Sequence, residues 1–200
     1  MYKTSKIVFS PRVRKSPYFD STMKYGADAF SVYNHMYMPI SFKGTLEDYN
    51  NLVNGVQLWD VACERQVEIK GPDAESLSQF LTPRDIKKCS KGQAMYAPFL
   101  DFRGGFINDP VMLKIDEDHY WFSLADGDSL LWAQGIAAGY NYDVEITEPD
   151  VSPLQVQGPN STKLMSEVFG DWVSELSFYK FRELTYEGIP MVIARMGYSR

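Results

Sequence analysis

The chain has little of what metal or covalent catalysis draws on. Its 200 residues include two cysteines and two histidines. Cys63 and Cys89 form no Cys-x-x-Cys pair, which argues against a disulfide framework or a thiolate metal site. His35 and His119 stand alone. His35, among aromatics, is expected in the core, and His119, in an acidic turn, at the surface. No metal-ligand set can be assembled from these residues. A nucleophile elbow, a His-Glu-x-x-His helix, a phosphate loop and a dinucleotide fingerprint are all missing. Basic charge is also short: the net charge of −6 and a pI near 5.0 argue against broad nucleic-acid binding. No run approaches the ~20 apolar residues of a membrane span. The chain therefore reads as soluble, and its sparse cysteine suits a reducing cytoplasm. Lys3, Lys6, Arg12, Arg14 and Lys15 crowd the first fifteen residues, with no apolar stretch after them. That excludes a secretory signal and reads as a solvated arm, with an organelle transit peptide as the alternative.

What is present is apolar and aromatic. Hydrophobic residues make up 44%, enough for one large domain or two small ones, and aromatics at 14% supply faces for a small cation. The most informative stretch is Asp101-Phe102-Arg103-Gly104-Gly105-Phe106-Ile107-Asn108-Asp109-Pro110, a hairpin whose glycine turn feeds Asn108-Asp109 into an otherwise apolar strand. Two readings stand side by side. The pair is a bulge or strand end facing water, or it carries functional hydrogen-bonding groups at a site. A carboxylate buried there costs several kcal/mol, on the order given for an unpaired ion.

The chain also echoes itself. Val67-Glu68-Ile69-Lys70-Gly71-Pro72-Asp73 leads into a helix with Leu77 and Leu81 on one face. Leu154-Gln155-Val156-Gln157-Gly158-Pro159-Asn160, 87 positions later, leads into a helix with Leu164 and Val168. Each copy is an alternating strand, a Gly-Pro turn, an Asp or Asn suited to capping, and an amphipathic helix. After its helix the first copy continues with strands over 94–100 and 106–115. A turn at 116–118, a strand over 120–125, a helix over about 128–138 and a strand over 143–147 follow. Asp126-Gly127-Asp128 reads as the cap of that helix or as a ligand-binding turn. The second copy supplies strands over 178–185 and 191–195 and stops. The fold class is α+β, two related strand–helix–strand repeats forming mixed or antiparallel sheets with helices on one face. An approach segment over 1–65 precedes a first repeat over 66–150 and the start of a second over 151–200. The last strand, helix and strand of the first copy have no counterpart in the second, so the chain is expected to be an N-terminal fragment or to need a partner.

In the approach segment, Tyr33-Asn34-His35-Met36-Tyr37-Met38-Pro39 reads as core or as a pocket for a planar ring or soft cation. Thr45 with Asp48 can cap a helix to about Asn54, and Trp59-Asp60-Val61 follows. With metal and covalent chemistry poorly supported, what remains is Asn108-Asp109 with Tyr96 on the partner strand. Such parts work by orientation and electrostatics, with a cofactor supplying the reactive atom.

These landmarks resemble the folate-dependent aminomethyltransferase family, typified by the T-protein of the glycine cleavage system. The matching words are Met38-Pro39, Trp59-Asp60-Val61, Gly92-Gln93-Ala94-Met95-Tyr96, Gly104-Gly105-Phe106-Ile107-Asn108-Asp109, Val156-Gln157-Gly158-Pro159 and Gly197-Tyr198-Ser199. Tyr33-Asn34-His35-Met36, Asn108-Asp109-Pro110 and Asp118-His119-Tyr120-Trp121-Phe122-Ser123 look most like the branch containing dimethylsulfoniopropionate demethylase. The resemblance implies tetrahydrofolate as cofactor, with Tyr96, Asn108 and Tyr198 on the folate side and Asn108 and Asp109 at the reacting centre. One departure matters: where aminomethyltransferases carry an essential aspartate, this chain has Asn108, which cannot hold a negative charge or accept a proton. That favours methyl transfer from a sulfonium or quaternary ammonium donor, which leaves neutral. Trp59, Trp121 and Tyr33 are then candidates for the cationic donor, and Arg65 for its carboxylate, with a salt bridge to Glu64 or Glu68 as the plainer role of Arg65. The alternatives are an aminomethyl or demethylating enzyme of glycine-cleavage, sarcosine or dimethylglycine type, and a folate-binding module without catalysis. The expected partner is a small methyl or amine donor, with no nucleic acid, no membrane and an open oligomeric state.

Overall fold

The computed structural model describes residues 12–197. Helix α1 (Phe19–Lys24) is followed by the hairpin β1 (Ala29–Tyr33) and β2 (Met36–Ser41), then by α2 (Thr45–Asn54) and β3 (Gln57–Asp60). The first copy of the echo runs β4 (Gln66–Lys70), α3 (Ala74–Leu81), β5 (Gln93–Tyr96), β6 (Phe99–Leu100), β7 (Phe106–Asn108), β8 (Val111–Asp116), β9 (His119–Ser123), α4 (Ser129–Tyr140) and β10 (Glu145–Thr147). The second runs β11 (Leu154–Gln157), α5 (Ser161–Phe169), α6 (Trp172–Glu175), β12 (Lys180–Tyr186) and β13 (Ile189–Arg195). This is the expected α+β class.

Seven strands form a wholly antiparallel sheet in the order β10-β4-β9-β8-β5-β12-β13. Alternation along the strands divides its faces. Val67, Ile69, Met112, Tyr120 and Phe122 point to one side, where Leu77, Leu81 and Ala133 of α3 and α4 complete a buried core. Ala94, Leu113, Ile115 and Phe181 point to the other.

The 87-residue echo is also a pairing rule. Gln93 lies opposite Lys180, its own counterpart. The Ala94 N–H donates to the Tyr179 carbonyl at 2.8 Å, and the Phe181 N–H donates to the Gly92 carbonyl at 3.1 Å. Those two bonds exchange under the same offset, so a pseudo-twofold axis passes between β5 and β12. The turn glycines obey it as well. Gly71 has φ +128° and Gly158 φ +114°, where side chains are strained, and each packs against a backbone that leaves no room for a Cβ.

The last helix and strand of the first copy have counterparts in the second after all, supplied from the other end of the chain. β3 pairs with β11 as β10 pairs with β4. The Asn160 N–H reaches the Gly55 carbonyl (3.1 Å) as the Asp73 N–H reaches the Asp143 carbonyl (3.2 Å). Thus α2 and β3 of the approach segment stand to the second copy as α4 and β10 stand to the first.

Several local expectations are corrected. The two long strands of the central hairpin break at Ala97-Pro98 and Asp109-Pro110, because proline has no N–H to continue a ladder. The hairpin tip then leans onto the helices, with Phe102 5.7 Å from Trp132 and 6.4 Å from Phe80 between ring centroids. Asp73, Asn160 and Asp128 precede helices but make no side-chain cap. Asp73 instead accepts from the Asp143 N–H, tying α3 to the segment before β10. Thr45 opens α2 without capping it, and Asp48 binds back to the N–H groups of Phe42 and Lys43.

Candidate active site

One end of the large sheet gathers most of the polar residues singled out above. Gln66 starts β4 opposite Ser123 at the end of β9; Ser123 faces Val111 at the start of β8; Val111 faces Tyr96 at the end of β5. Three strand spacings separate Gln66 from Tyr96, about 14 Å. Above this row lie the break at Asn108-Asp109, the Ala125–Gly127 turn, the Val61–Arg65 loop and the tip of the β1–β2 hairpin.

Two buried asparagines lock these segments together. The Asn108 amide donates to the carbonyls of Ala125 (3.0 Å) and Asp126 (3.3 Å), and its Oδ1 accepts from the Ala125 N–H (2.9 Å). The Asn34 amide donates to the carbonyls of Cys63 (2.9 Å) and Ala125 (3.1 Å), and its Oδ1 accepts from the Gly127 N–H (2.8 Å). The Asn34 N–H donates to the Asp126 carboxylate at 2.9 Å. Asn34 and His35 form a tight turn with φ of 46° and 59°, a conformation asparagine tolerates. Both asparagines satisfy backbone groups that the strand breaks leave unpaired.

Around this frame the predicted residues divide. Tyr96 is 38% exposed and Asp109 is exposed beside it, with no protein partner among the described residues. Asp109 thus faces water at a strand end, while Asn108 is buried. Tyr33 reaches the same region; burial first, and then the carboxylates of Glu64 and Asp126, push its phenol up. Trp121 lies lower on the face that also carries Ala94 and donates to Glu68 at 2.8 Å. Trp59 stands on the separate β3–β11 ribbon, opposite Gln155, and donates to Gln57 at 2.8 Å. Arg65 pairs with neither Glu64 nor Glu68: its guanidinium grips Glu148, with Arg14 3.9 Å from the same carboxylate. Tyr198 lies outside the described residues.

The two histidines exchange places with their expectations. His35 is exposed on the hairpin turn, and His119 is half-buried with Nε2 2.8 Å from Glu68. Glu68 also meets Lys70 (2.7 Å), Trp121 and the Thr147 hydroxyl (3.1 Å). Burial opposes its charge, but these donors outweigh it and hold the carboxyl down at about 2. Among the described residues no group of His, Cys, Asp and Glu is arranged to hold a metal.

Sequence reasoning passed over Asn34 and Glu64. Burial pushes Glu64 up to about 7, opposed by one hydrogen bond from the Gln155 amide at 2.9 Å. Nothing in the local sequence marks Glu64, because Gln155 arrives from 91 residues away. The asparagine between two aromatic strands was the one available signal for Asn34.

A set of side chains thus collects at one sheet end, positioned by amides and by strand breaks at prolines. Residues 18–200 match the family model described as the GCVT N-terminal domain. The chain belongs to that family. Within the GCVT family it is 47% identical over 191 residues to dimethylsulfoniopropionate demethylase DmdA of Ruegeria pomeroyi, covering 96% of this chain and 52% of the relative. It is 30% identical over 166 residues to an aminomethyltransferase of Alkaliphilus metalliredigens, covering 81% of this chain and 45% of that protein. The glycine cleavage system aminomethyltransferase T of Bartonella henselae shares the GCVT fold, with a TM-score of 0.81 at 21% identity over 93% of this chain and 51% of its own. The chain therefore spans about half the length of the relatives it matches. No helix among the described residues is long and apolar enough to cross a membrane.

Proposed function

We propose that this chain is the folate-facing part of a tetrahydrofolate-dependent methyltransferase that takes a methyl group from a sulfonium or quaternary ammonium donor resembling dimethylsulfoniopropionate. The observation that carries the reading is the 47% identity to a dimethylsulfoniopropionate demethylase, against 30% to the aminomethyltransferase. Asn108 supports it. An aspartate in its place would have no hydrogens for the Ala125 and Asp126 carbonyls, so this frame is built around an amide.

The residues at the sheet end suit a planar, amino-substituted ring. Tyr96 offers an exposed aromatic face, and the unpartnered carboxylate of Asp109 can accept from ring N–H groups. When bound, tetrahydrofolate supplies the nucleophilic nitrogen that takes the methyl group. The chain's part is orientation: Asn34 and Asn108 fix the loops, Tyr96 and Asp109 hold the acceptor side, and Tyr33 and Trp59 present aromatic faces toward a cation, whereas Trp121 is taken up by Glu68. Two buried free cysteines suit a cytoplasmic setting.

The test is turnover by the full-length protein with tetrahydrofolate and a panel of sulfonium and betaine donors. Formation of 5-methyltetrahydrofolate is the expected outcome; no product with any of them sinks the proposal. Formaldehyde-level folate product from sarcosine or dimethylglycine would favour an amine-acting enzyme. Tight folate binding with no turnover of any donor would favour a binding module.

A further inference from the structure

Two glutamates four positions apart meet opposite surroundings. Glu68 is surrounded by four donors, Lys70 and His119 among them. Glu64 is partly buried and receives one side-chain hydrogen bond, from the neutral amide of Gln155 to Oε2. The neighbouring guanidinium of Arg65 is turned away to Glu148, where Arg14 also sits. The titratable groups on which Glu64 acts are Cys63 on its own loop and Tyr33 on β1; Asp60 at the end of β3 acts on the same Cys63, and Asp126 on the turn before α4 acts on the same Tyr33. None of them is a cation. A carboxylate withdrawn from water without a positive partner is costly, and such positions concentrate where a ligand supplies the missing charge.

The surroundings define that ligand's class. Gln155 stands directly opposite Trp59, so Glu64 is tied to the ribbon face that carries the indole. Tyr33 approaches from the hairpin. A carboxylate flanked by aromatic residues suits a soft, poorly hydrated cation better than an ammonium rich in hydrogens. At the opposite end of the roughly 14 Å row lie Tyr96 and Asp109, which leaves the span between for the acceptor.

We propose that Glu64 receives the positively charged onium centre of the donor, flanked by Tyr33 and the Trp59 face of the β3–β11 ribbon. This rests on the methyl-transfer reading and adds the residue that recognises the donor's charge. Because burial holds the Glu64 carboxyl up near 7, donor binding is coupled to its ionisation.

Calorimetry on the full-length protein decides it. The probes are dimethylsulfoniopropionate and 4-methylpentanoate, which replaces the sulfonium by an uncharged carbon. At pH 8 the sulfonium should bind at least about tenfold more tightly than the isostere, an advantage that shrinks severalfold at pH 6. Glu64→Gln keeps an oxygen for the Gln155 amide, so it should fold; its advantage should be small at both pH values. An advantage retained in Glu64→Gln, or absent from the wild type, overturns the assignment. If the wild type makes 5-methyltetrahydrofolate while that advantage is unmoved by the substitution, Glu64 is excluded and the methyl-transfer reading stands. If no onium donor turns over, the reading itself falls and the assignment with it.

Discussion

Glu64 and Glu68 show how neighbours, more than residue type, decide what a carboxylate does. Glu64 holds its proton more tightly when folded, near 7 against an ordinary value of 4.5. Its contribution to stability is therefore fully present below about pH 4.5 and is lost as pH rises through about 7, a loss on the order of 2–3 kcal/mol. Glu68, held at about 2, behaves in the opposite sense: its contribution is present above about pH 4.5 and lost as pH falls toward 2. Urea unfolding should accordingly find Glu64→Gln more stable than wild type at pH 8 and level with it at pH 4. Glu68→Gln should be about 1–3 kcal/mol less stable at pH 7 and converge with wild type near pH 2. Parallel pH profiles for the two variants would contradict this assignment of the charges.

At the scale of elements, the chain's periodicity made most of the fold legible. Alternating Val67 and Ile69, or Leu77 and Leu81 on one helix face, declare their elements because burial imposes the period of two or of 3.6. The Gly-Pro turns were equally plain, since a backbone at positive φ has few residues to choose from. Gly158 carries the heavier demand. A Cβ there would lie 2.5 Å from the Gly55 carbonyl oxygen, whereas one at Gly104 (φ +82°) meets nothing within 4 Å. Thermal unfolding should show Gly158→Ala losing about 3 kcal/mol or more and Gly104→Ala about 1; equal losses would mean that Gly55 yields easily. Caps and breaks were less legible. Asp73 and Asp128 have the right chemistry for capping, but tertiary partners claim Asp73 and place His35 4.0 Å from Asp128. The candidate site was legible in Asn108, Asp109 and Tyr96 to the extent that polar residues interrupt apolar strands there. It was not legible in Glu64, whose character comes from a strand 91 residues distant.

At the scale of the molecule, the two halves of the large sheet meet along a short seam. Lys180 opposite Gln93 is the only Cα pairing that joins β12 to β5, with flanking bonds at Ala94 and Phe181. Five paired positions, by contrast, join β4 to β9. Hydrogen exchange should find β12 and β13 opening well before β4, β8 and β9, in keeping with a locally weaker cooperative unit; uniform protection would show that the seam transmits the stability of the larger half. The displaced partnership of β3 with β11 reaches further, into the order in which the protein is made. Trp59 leaves the ribosome long before its opposite number Gln155. At about 5–20 residues per second, β3 waits roughly 5–20 s for its partner strand. The second half is thus held open until Gln155 has been made. Its first-made strand presents an unpaired edge during that interval, and a pause in translation between the two copies would lengthen that exposure.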